Sequence, residues 1–452
     1  MSFGIRGVIE GFYGKPWTHV ERIDMINFLK KSNLNTYFLA PKDEPGHRRS
    51  WQDLRPDSEL VKLKELVAHA TSQGITFGTA VSPGQTIIYS DPAELAALKG
   101  RLAQYLDLGI NLVGVFFDDI PNDFQSESDA KAFTSFAQAH AAIGNQLFDW
   151  LEKEYPNANL VICPTVYRGT GHDEYLVEIG KLLNTKVHLM WTGIQICSFR
   201  LDVRDALIFQ ESAKRKPLYW DNYPVNDVAM VHQLHVGPIK NRDSDLGDYS
   251  FGLVANPMEK FELSLLSLGT IGDYLWDSHN YHPEESWERA LSTLVRDERD
   301  RNSLRHFLRN CFESCLAVDA APDFGKLLGK VSLLWRTNQK NLAVTELCEY
   351  SLLIKSHVAV LRSPDCTMPA WVSESESWLN KYEKVADALA EIAIILDRAT
   401  NGSNGGLVGS NQDIELVMKL RISLAQDPTR IFGDGLDLML GELATELAVA
   451  NR

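Results

Sequence analysis

The sequence predicts an α/β protein: a (β/α)8 barrel of the TIM type followed by an all-α helical domain. Three observations carry that reading. Eight short β-rich runs recur over the first 260 or so residues, with helical patterns between them. Most of the runs are continuously apolar, as strands buried on both faces of a parallel sheet must be. After about residue 285 the β-rich runs stop and three- and four-residue apolar spacing takes over.

The runs are GIRGVIEG (4–11), NTYFLAPK (35–42), ITFGTAVSP (75–83), NLVGVFFDD (111–119), NLVICPTVY (159–167), KVHLMWTG (186–193), KPLYWDNYP (216–224) and FGLVANP (251–257). Helix signals fall between them. Thr18 and Glu21 have capping-box spacing ahead of Ile23, Ile26 and Leu29. Asp91-Pro92 is an N-cap followed by proline at the first helical position, with Gly109 as the stop. Ser128 to Tyr155 reads as one long helix closed by Pro156. Eight strand–helix units are the number a barrel needs. The rival, an open doubly wound sheet, lacks a G-x-G-x-x-G after its first strand.

The barrel is assigned to residues 1–285 and a helical bundle or stalk to 286–452. Trp378, Tyr382, Val385, Leu389, Ile392 and Leu396 form one apolar face. Leu327, Leu328, Val331, Leu334 and Trp335 form a second, and Ile414, Val417, Leu420 and Leu424 a third. NGSNGGLVGSN (401–411) reads as a flexible connection, because no Gly-Lys-Ser/Thr follows it.

The chain has 452 residues and a net charge of −15, from 45 Lys+Arg against 60 Asp+Glu. That balance argues against a nucleic-acid or anionic-membrane partner, which wants a basic face. No apolar run is long enough for a transmembrane helix, and the N-terminus lacks a secretory pattern. Six cysteines are too few for a disulfide scaffold and read as thiols, so the expected compartment is the cytoplasm. No metal or cofactor is expected.

In such a barrel the reactive groups sit at the C-terminal strand ends. Those ends carry Glu10 to Gly14, Lys42-Asp43-Glu44, Asp118-Asp119, Tyr167, Trp191, Trp220-Asp221-Asn222, Asn226-Asp227 and Asn256. Carboxylates, amides and aromatic faces around one cleft suit a sugar, whose hydroxyls need polar partners and whose C–H face stacks on aromatic rings. Asp118-Asp119 is the sharpest feature. Like charges this close, partly buried, raise the pKa of one member and give an acid beside a base. Neighbours on a strand face opposite ways, so both reach one cleft only if the chain is already turning. The alternatives are an acidic turn capping the next helix, or a magnesium site. Lys42 could donate to a hydroxyl or pair with Asp43 or Glu44. His279 and His282 read as surface or packing residues, Cys163 as a core or pocket-wall residue, and Trp335, Trp371 and Trp378 as core.

Eight segments together resemble glycoside hydrolase family 84, the β-N-acetylglucosaminidases, in an O-GlcNAcase-like, bacterial form. They are EGFYGKPW (10–17), LAPKDE (39–44), AVSPG (80–84), FFDDI (116–120), CPTVY (163–167), MWTG (190–193), YWDNYPVND (219–227) and VANP (254–257), in the family's order. The resemblance implies a retaining exo-β-N-acetylglucosaminidase that uses substrate assistance: the acetamido oxygen attacks C1 and forms an oxazoline. It implies that Asp118 orients the acetamido N–H and that Asp119 serves as acid, then base. It further implies that Gly11 offers its backbone and Lys42 its amine to hydroxyls, that Asn222 helps hold the acetamido group, that Asp227 accepts from O4 and O6, and that Asn256 completes the hydroxyl contacts. Tyr167, Trp220 and Cys163 would line the acetamido pocket. Val228 departs from the aromatic found in some relatives, which bears on aglycone contacts. The implied partners are β-GlcNAc glycosides, on modified protein or another glycoconjugate, and a second copy through the helical domain. The competing readings are a non-catalytic sugar-binding or scaffold protein and an endo-acting hyaluronidase- or chitinase-like hydrolase. The latter lacks the terminal Glu of a D-x-x-D-x-D-x-E-like signature.

Overall fold

A computed structural model describes residues 3–121, 123–317, 321–401, 410–433 and 435–450. All eight expected strands are present, as Ile5–Glu10 (β1), Thr36–Leu39 (β2), Thr76–Val81 (β3), Leu112–Phe116 (β4), Asn159–Cys163 (β5), His188–Trp191 (β6), Leu218–Asp221 (β7) and Gly252–Ala255 (β8). Each is parallel to its neighbours, and β1 pairs with β8, so the barrel is closed. Every observed strand is shorter than the run that predicted it. Among the residues trimmed at the C-terminal ends are the polar ones, such as Lys42, Asp118-Asp119, Asn222 and Asn256, which leave the ladder to form the loops of the site.

The barrel interior is filled by Ile9, Phe38, Ala40, Ala80, Leu112, Phe116, Val161, Met190, Leu218 and Val254, with Cys163 and Trp220 joining the same cluster. Register brings Phe116 beside Cys163 and Asp221 beside Ala255. The end of β4, which carries the acid pair, thus adjoins the strand that supplies the thiol.

The helices begin where their caps dictate. Helix α1 (His19–Lys31) starts at Thr18, which accepts from Glu21 N at 3.2 Å, while Glu21 accepts from Thr18 N at 2.6 Å. Asp91 caps Pro92–Leu106, accepting from Ala93 N; that helix ends before Gly109, whose φ of +90° serves the turn beyond. The single long helix expected from Ser128 is instead two, Glu127–Ala132 and Phe136–Glu154. Ser135 accepts from Gln138 N at 3.1 Å and starts a new helix, an N-cap that competes with continuation.

The chain divides into two compact units, residues 1–228 with 238–286, and 229–237 with 287–452. Within the second, helices Lys340–Leu361 and Glu376–Asn401 pack along each other. Trp378, Tyr382, Val385, Leu389, Ile392 and Leu396 are all buried. Of the other two expected faces only Leu327, Val331 and Val417 are fully buried. Trp371 and Trp378 are core residues, but Trp335 is half-buried, bonded to Glu446 and overlain by Lys340. Residues 402–409 of the expected Gly/Ser/Asn connection lie outside the described residues. No described helix is long and apolar enough to cross a membrane.

Candidate active site

Asp118 and Asp119 lie beyond the last residue of β4, in the turn. Asp119 has φ +51°, a left-handed conformation that Asp tolerates better than most residues. That turn resolves the geometric problem of adjacent carboxylates, since the chain no longer alternates sides. The helix that follows is capped by Ser126, which accepts from Ser128 N; the acidic pair is not its cap.

Asp118 is 4% exposed. Its Oδ2 pairs with Lys42 Nζ, and its Oδ1 is buried with no hydrogen-bond donor among the described residues. Asp119 is the more open of the two. Its Oδ1 accepts from Tyr167 Oη at 2.9 Å and its Oδ2 from Tyr13 Oη at 2.7 Å, with Lys42 Nζ 3.7 Å away. Burial pushes the Asp119 carboxyl up, but the Lys42 charge, the two phenols and Arg48 outweigh it, leaving it below its ordinary value. The sequence argument expected the pair to contain a carboxyl raised toward neutrality. For Asp119 the result is the reverse, because two tyrosines and two cations face it, which adjacency in sequence does not reveal.

Lys42 pairs with neither acidic neighbour in sequence. Asp43 accepts from Gly14 N at 2.8 Å and Glu44 pairs with Arg55. Burial, then the charge of Arg48, pushes the Lys42 amine down to about 8. Cys163 is buried and its thiol is pushed up to about 12, burial being the main cause, so it stays neutral. Trp220 lies against Phe116, with Lys42 Nζ 5.4 Å from its ring centroid. Trp220 Nε1 donates to Asn222 Oδ1 at 2.9 Å. Asn256 Nδ2 donates to the same oxygen at 3.0 Å, and Asn222 Nδ2 donates to Ile196 O at 2.9 Å. Asn256 Oδ1 in turn accepts from Gly11 N at 3.3 Å. Asp227 Oδ2 accepts from Tyr13 N at 2.7 Å, and burial raises its carboxyl. Eight of the ten sequence-identified residues therefore come from the loops at one end of the barrel, and Cys163 and Trp220 from the ends of β5 and β7.

Three strand-end residues turn away from the cleft. Glu10 is fully buried, gripped by both arms of Arg22 and by Tyr37, and it accepts from Trp17 N. Asp221 is held by two arms of Arg242 at 2.7 and 2.9 Å. Trp191 stacks on Phe209. Each is the last residue of its strand, where the pleat alone decides inside from outside. Sequence reasoning missed Arg48, which reaches the acid pair from six residues beyond Lys42; no local spacing marks it. Tyr13 was visible only as part of a motif.

Gly11 is required by the approach of Trp220: a Cβ there would sit 2.4 Å from Trp220 Cζ2. Gly11→Ala is expected to displace the indole and lower stability by about 1–3 kcal/mol. A denaturant melt checks this; an unchanged midpoint would mean the ring yields without cost.

An acid pair at the mouth of a closed barrel, with a tryptophan and a neutral thiol beside it, holds the kinds of group that sugar cleavage requires. The sequence profile of the β-N-acetylglucosaminidase family matches residues 6–309. The solved structure of a mutant O-GlcNAc hydrolase from Thermobaculum terrenum is 32% identical, with TM-score 0.91, over 98% of this chain and 94% of that one. The chain belongs to the β-N-acetylglucosaminidase family, glycoside hydrolase family 84. Curated relatives named Protein O-GlcNAcase, from Rattus norvegicus and Mus musculus, are each 32% identical over 280 residues. That alignment takes in 61% of this chain but spans only 30% of theirs. The structure of CpGH84B, 24% identical with TM-score 0.82 over 98% of this chain and 77% of its own, shares the fold.

Proposed function

We propose that the protein is a retaining exo-β-N-acetylglucosaminidase that removes terminal β-linked GlcNAc from modified protein or another glycoconjugate by substrate assistance. The observation that carries this reading is the buried, unpartnered Oδ1 of Asp118 beside the solvent-facing Asp119. A buried carboxylate oxygen without a donor is costly, and a substrate acetamido N–H supplies one. That bond raises the electron density on the acetamido oxygen, which attacks C1 and forms the C1–O bond of an oxazolinium ion as the glycosidic C1–O bond breaks. Asp119 gives its proton to the departing oxygen. Asp118 stabilises the positive charge that the ring nitrogen acquires. Asp119, now a carboxylate with the two phenols aimed at it, takes a proton from the incoming water, whose oxygen attacks C1 and reopens the ring. Two displacements at C1 retain its configuration. No protein group becomes bonded to the sugar, as in the substrate-assisted exceptions to the usual two-carboxylate scheme.

The acetyl methyl group would enter between Cys163, Tyr167 and Trp220, where a charged thiolate would be out of place. Lys42, Asp227 and Asn256 would meet the sugar hydroxyls, and Gly11 would let Trp220 close the pocket. Asn222, whose amide already serves Trp220, Asn256 and Ile196, would hold the acetamido group indirectly, by fixing the indole.

The test is hydrolysis of aryl β-GlcNAc substrates carrying acetyl, fluoroacetyl, difluoroacetyl and trifluoroacetyl groups. Rates are expected to fall stepwise as fluorine drains the acetamido oxygen. Rates indifferent to fluorine would require a nucleophile on the enzyme, and absence of hydrolysis would favour a sugar-binding protein.

A further inference from the structure

Arg48 follows the short turn Pro45–His47 beyond β2 and is 8% exposed. Its two arms go to two groups that hold the acid pair, a tyrosine and a main-chain carbonyl. Nη1 donates to Tyr13 Oη at 2.9 Å, and Nη2 donates to the main-chain carbonyl of Asp118 at 3.2 Å. The guanidinium also lies over the Tyr13 ring, 5.6 Å from its centroid. Tyr13 Oη in turn lies 2.7 Å from Asp119 Oδ2.

The direction of this chain follows from proton counting. Guanidinium has donors and no acceptor, and a phenol has one proton. With an Arg48 N–H directed into Tyr13 Oη, the phenol proton can only be given onward, to Asp119. A phenol that accepts from a cation is a stronger donor, so the two bonds reinforce each other. The second arm holds the peptide that leads into Asp119, the residue with φ +51°. One side chain thus steadies both the carboxylate and the turn that presents it.

We propose that Arg48 is a positioning residue for Asp119, orienting the Tyr13 O–H onto Asp119 Oδ2 and favouring the carboxylate over the acid. The proposal rests on the reading of Asp119 as acid/base given above. Such a relay stabilises the carboxylate that forms as the proton leaves Asp119 for the departing oxygen and that serves as base in the second step, whereas loading the proton beforehand requires substrate to loosen one of these contacts. The other groups facing Asp119 are Lys42, Tyr167 and the adjoining Asp118, with Cys163 and Asp227 farther off. None of them donates to Tyr13 Oη. The Tyr13 phenol is pushed up to about 12 by burial and by Asp119, so it keeps its proton throughout the working range.

The experiment is a double-mutant cycle read by pH. The limb of the kcat/KM profile that belongs to Asp119 is identified first, with an alkyl β-GlcNAc glycoside whose leaving group needs a proton, as the one that is present in the wild type and disappears in Asp119→Ala. Arg48→Gln is expected to move that limb to higher pH by about one unit. Tyr13→Phe is expected to move it the same way. In the Tyr13→Phe background Arg48→Gln should add little, so the two shifts fall well short of their sum. Should Arg48→Gln not fold, Arg48→Lys, which keeps the charge but loses the two-armed fork, carries the same cycle. A merely structural arginine would lower the height of the profile without moving the limb. An unmoved limb, or shifts that add fully, overturns the relay while leaving the acid/base assignment standing. A profile in which no limb is lost with Asp119→Ala overturns that assignment, and the relay with it.

Discussion

Asp119→Ala is expected to lower kcat/KM for alkyl and glycosyl β-GlcNAc substrates by about 10³-fold, within the range usual for a general acid. Dinitrophenyl glycosides should lose far less in the first step, because their leaving group departs without a proton. The substitution removes more than a proton donor. Tyr13 Oη and Tyr167 Oη both lose their acceptor, and Lys42 loses the second of its two carboxylates. Some loss common to all substrates is therefore expected beneath the leaving-group dependence. The decisive quantity is the slope of log(kcat/KM) against leaving-group pKa, which should be steeper in the variant. An unchanged slope, with all substrates slowed alike, would remove Asp119 from the role of acid. A related result concerns the resting state. Asp119 lies below its ordinary value in the free site because of Lys42, the phenols and Arg48. Substrate must loosen some of those contacts before the acid can carry a proton, which makes the bound state, and not the free one, the place where the acid is prepared.

The barrel was legible because its signal is redundant. Eight β-rich runs, most of them continuously apolar and each closed by polar or turn residues, leave few other folds, and every strand was found. What was misjudged were the ends, since a buried strand and the first residues of its loop are equally apolar in Ala40 or Phe117. The break at Ser135 was missed because its cap lies inside a stretch with strong helical spacing. In the helical unit the amphipathic pattern located α-helix but overstated burial. Trp335 keeps its indole partly in water by bonding to Glu446, a partner 111 residues away that no local spacing reveals.

The site was legible as a set of residues and not as a set of contacts. Strand-end position brought Gly11, Lys42, Asp118, Asp119, Cys163, Tyr167, Trp220, Asn222, Asp227 and Asn256 into consideration, and all ten lie at one end of the barrel. The same rule overcounted. Glu10 and Asp221 are strand-end carboxylates too, but each points outward to an arginine, Arg22 or Arg242. Only the strand's inside–outside phase separates them from the acids of the cleft, and a one-residue error in phase reverses it. Arg48 was missed for a different reason. Its contacts, to Tyr13 and to Asp118, span 35 and 70 residues, and long-range side-chain contacts leave no periodic trace.

Asp118→Asn is expected to cost about 10²–10³-fold in kcat/KM on N-acetyl substrates, the range for a lost electrostatic stabiliser. Unlike the loss in Asp119→Ala, it should be nearly independent of the leaving group, because the acetamido attack is impaired whichever bond is breaking. A stability measurement separates chemistry from folding here. Lys42 is 5% exposed, pairs with Asp118, and has its amine pushed down to about 8, below its value in the unfolded chain. Removing the Asp118 charge lowers that value further. Below pH 8 the native protein holds Lys42 charged, so the variant must either keep a buried cation whose nearest carboxylate is Asp119, 3.7 Å away, or release its proton; each unit of added shift costs about 1.4 kcal/mol. Well above pH 8 Lys42 is already neutral in the folded protein, and the same substitution costs little. The destabilisation of Asp118→Asn is therefore expected to be larger at pH 6 than at pH 9, as read from denaturant midpoints. If the catalytic loss persists at pH 9 while the stability difference vanishes, the deficit lies in the handling of the acetamido group. If both vanish together, Asp118 serves chiefly to hold Lys42, and the role given to its unpartnered oxygen is wrong.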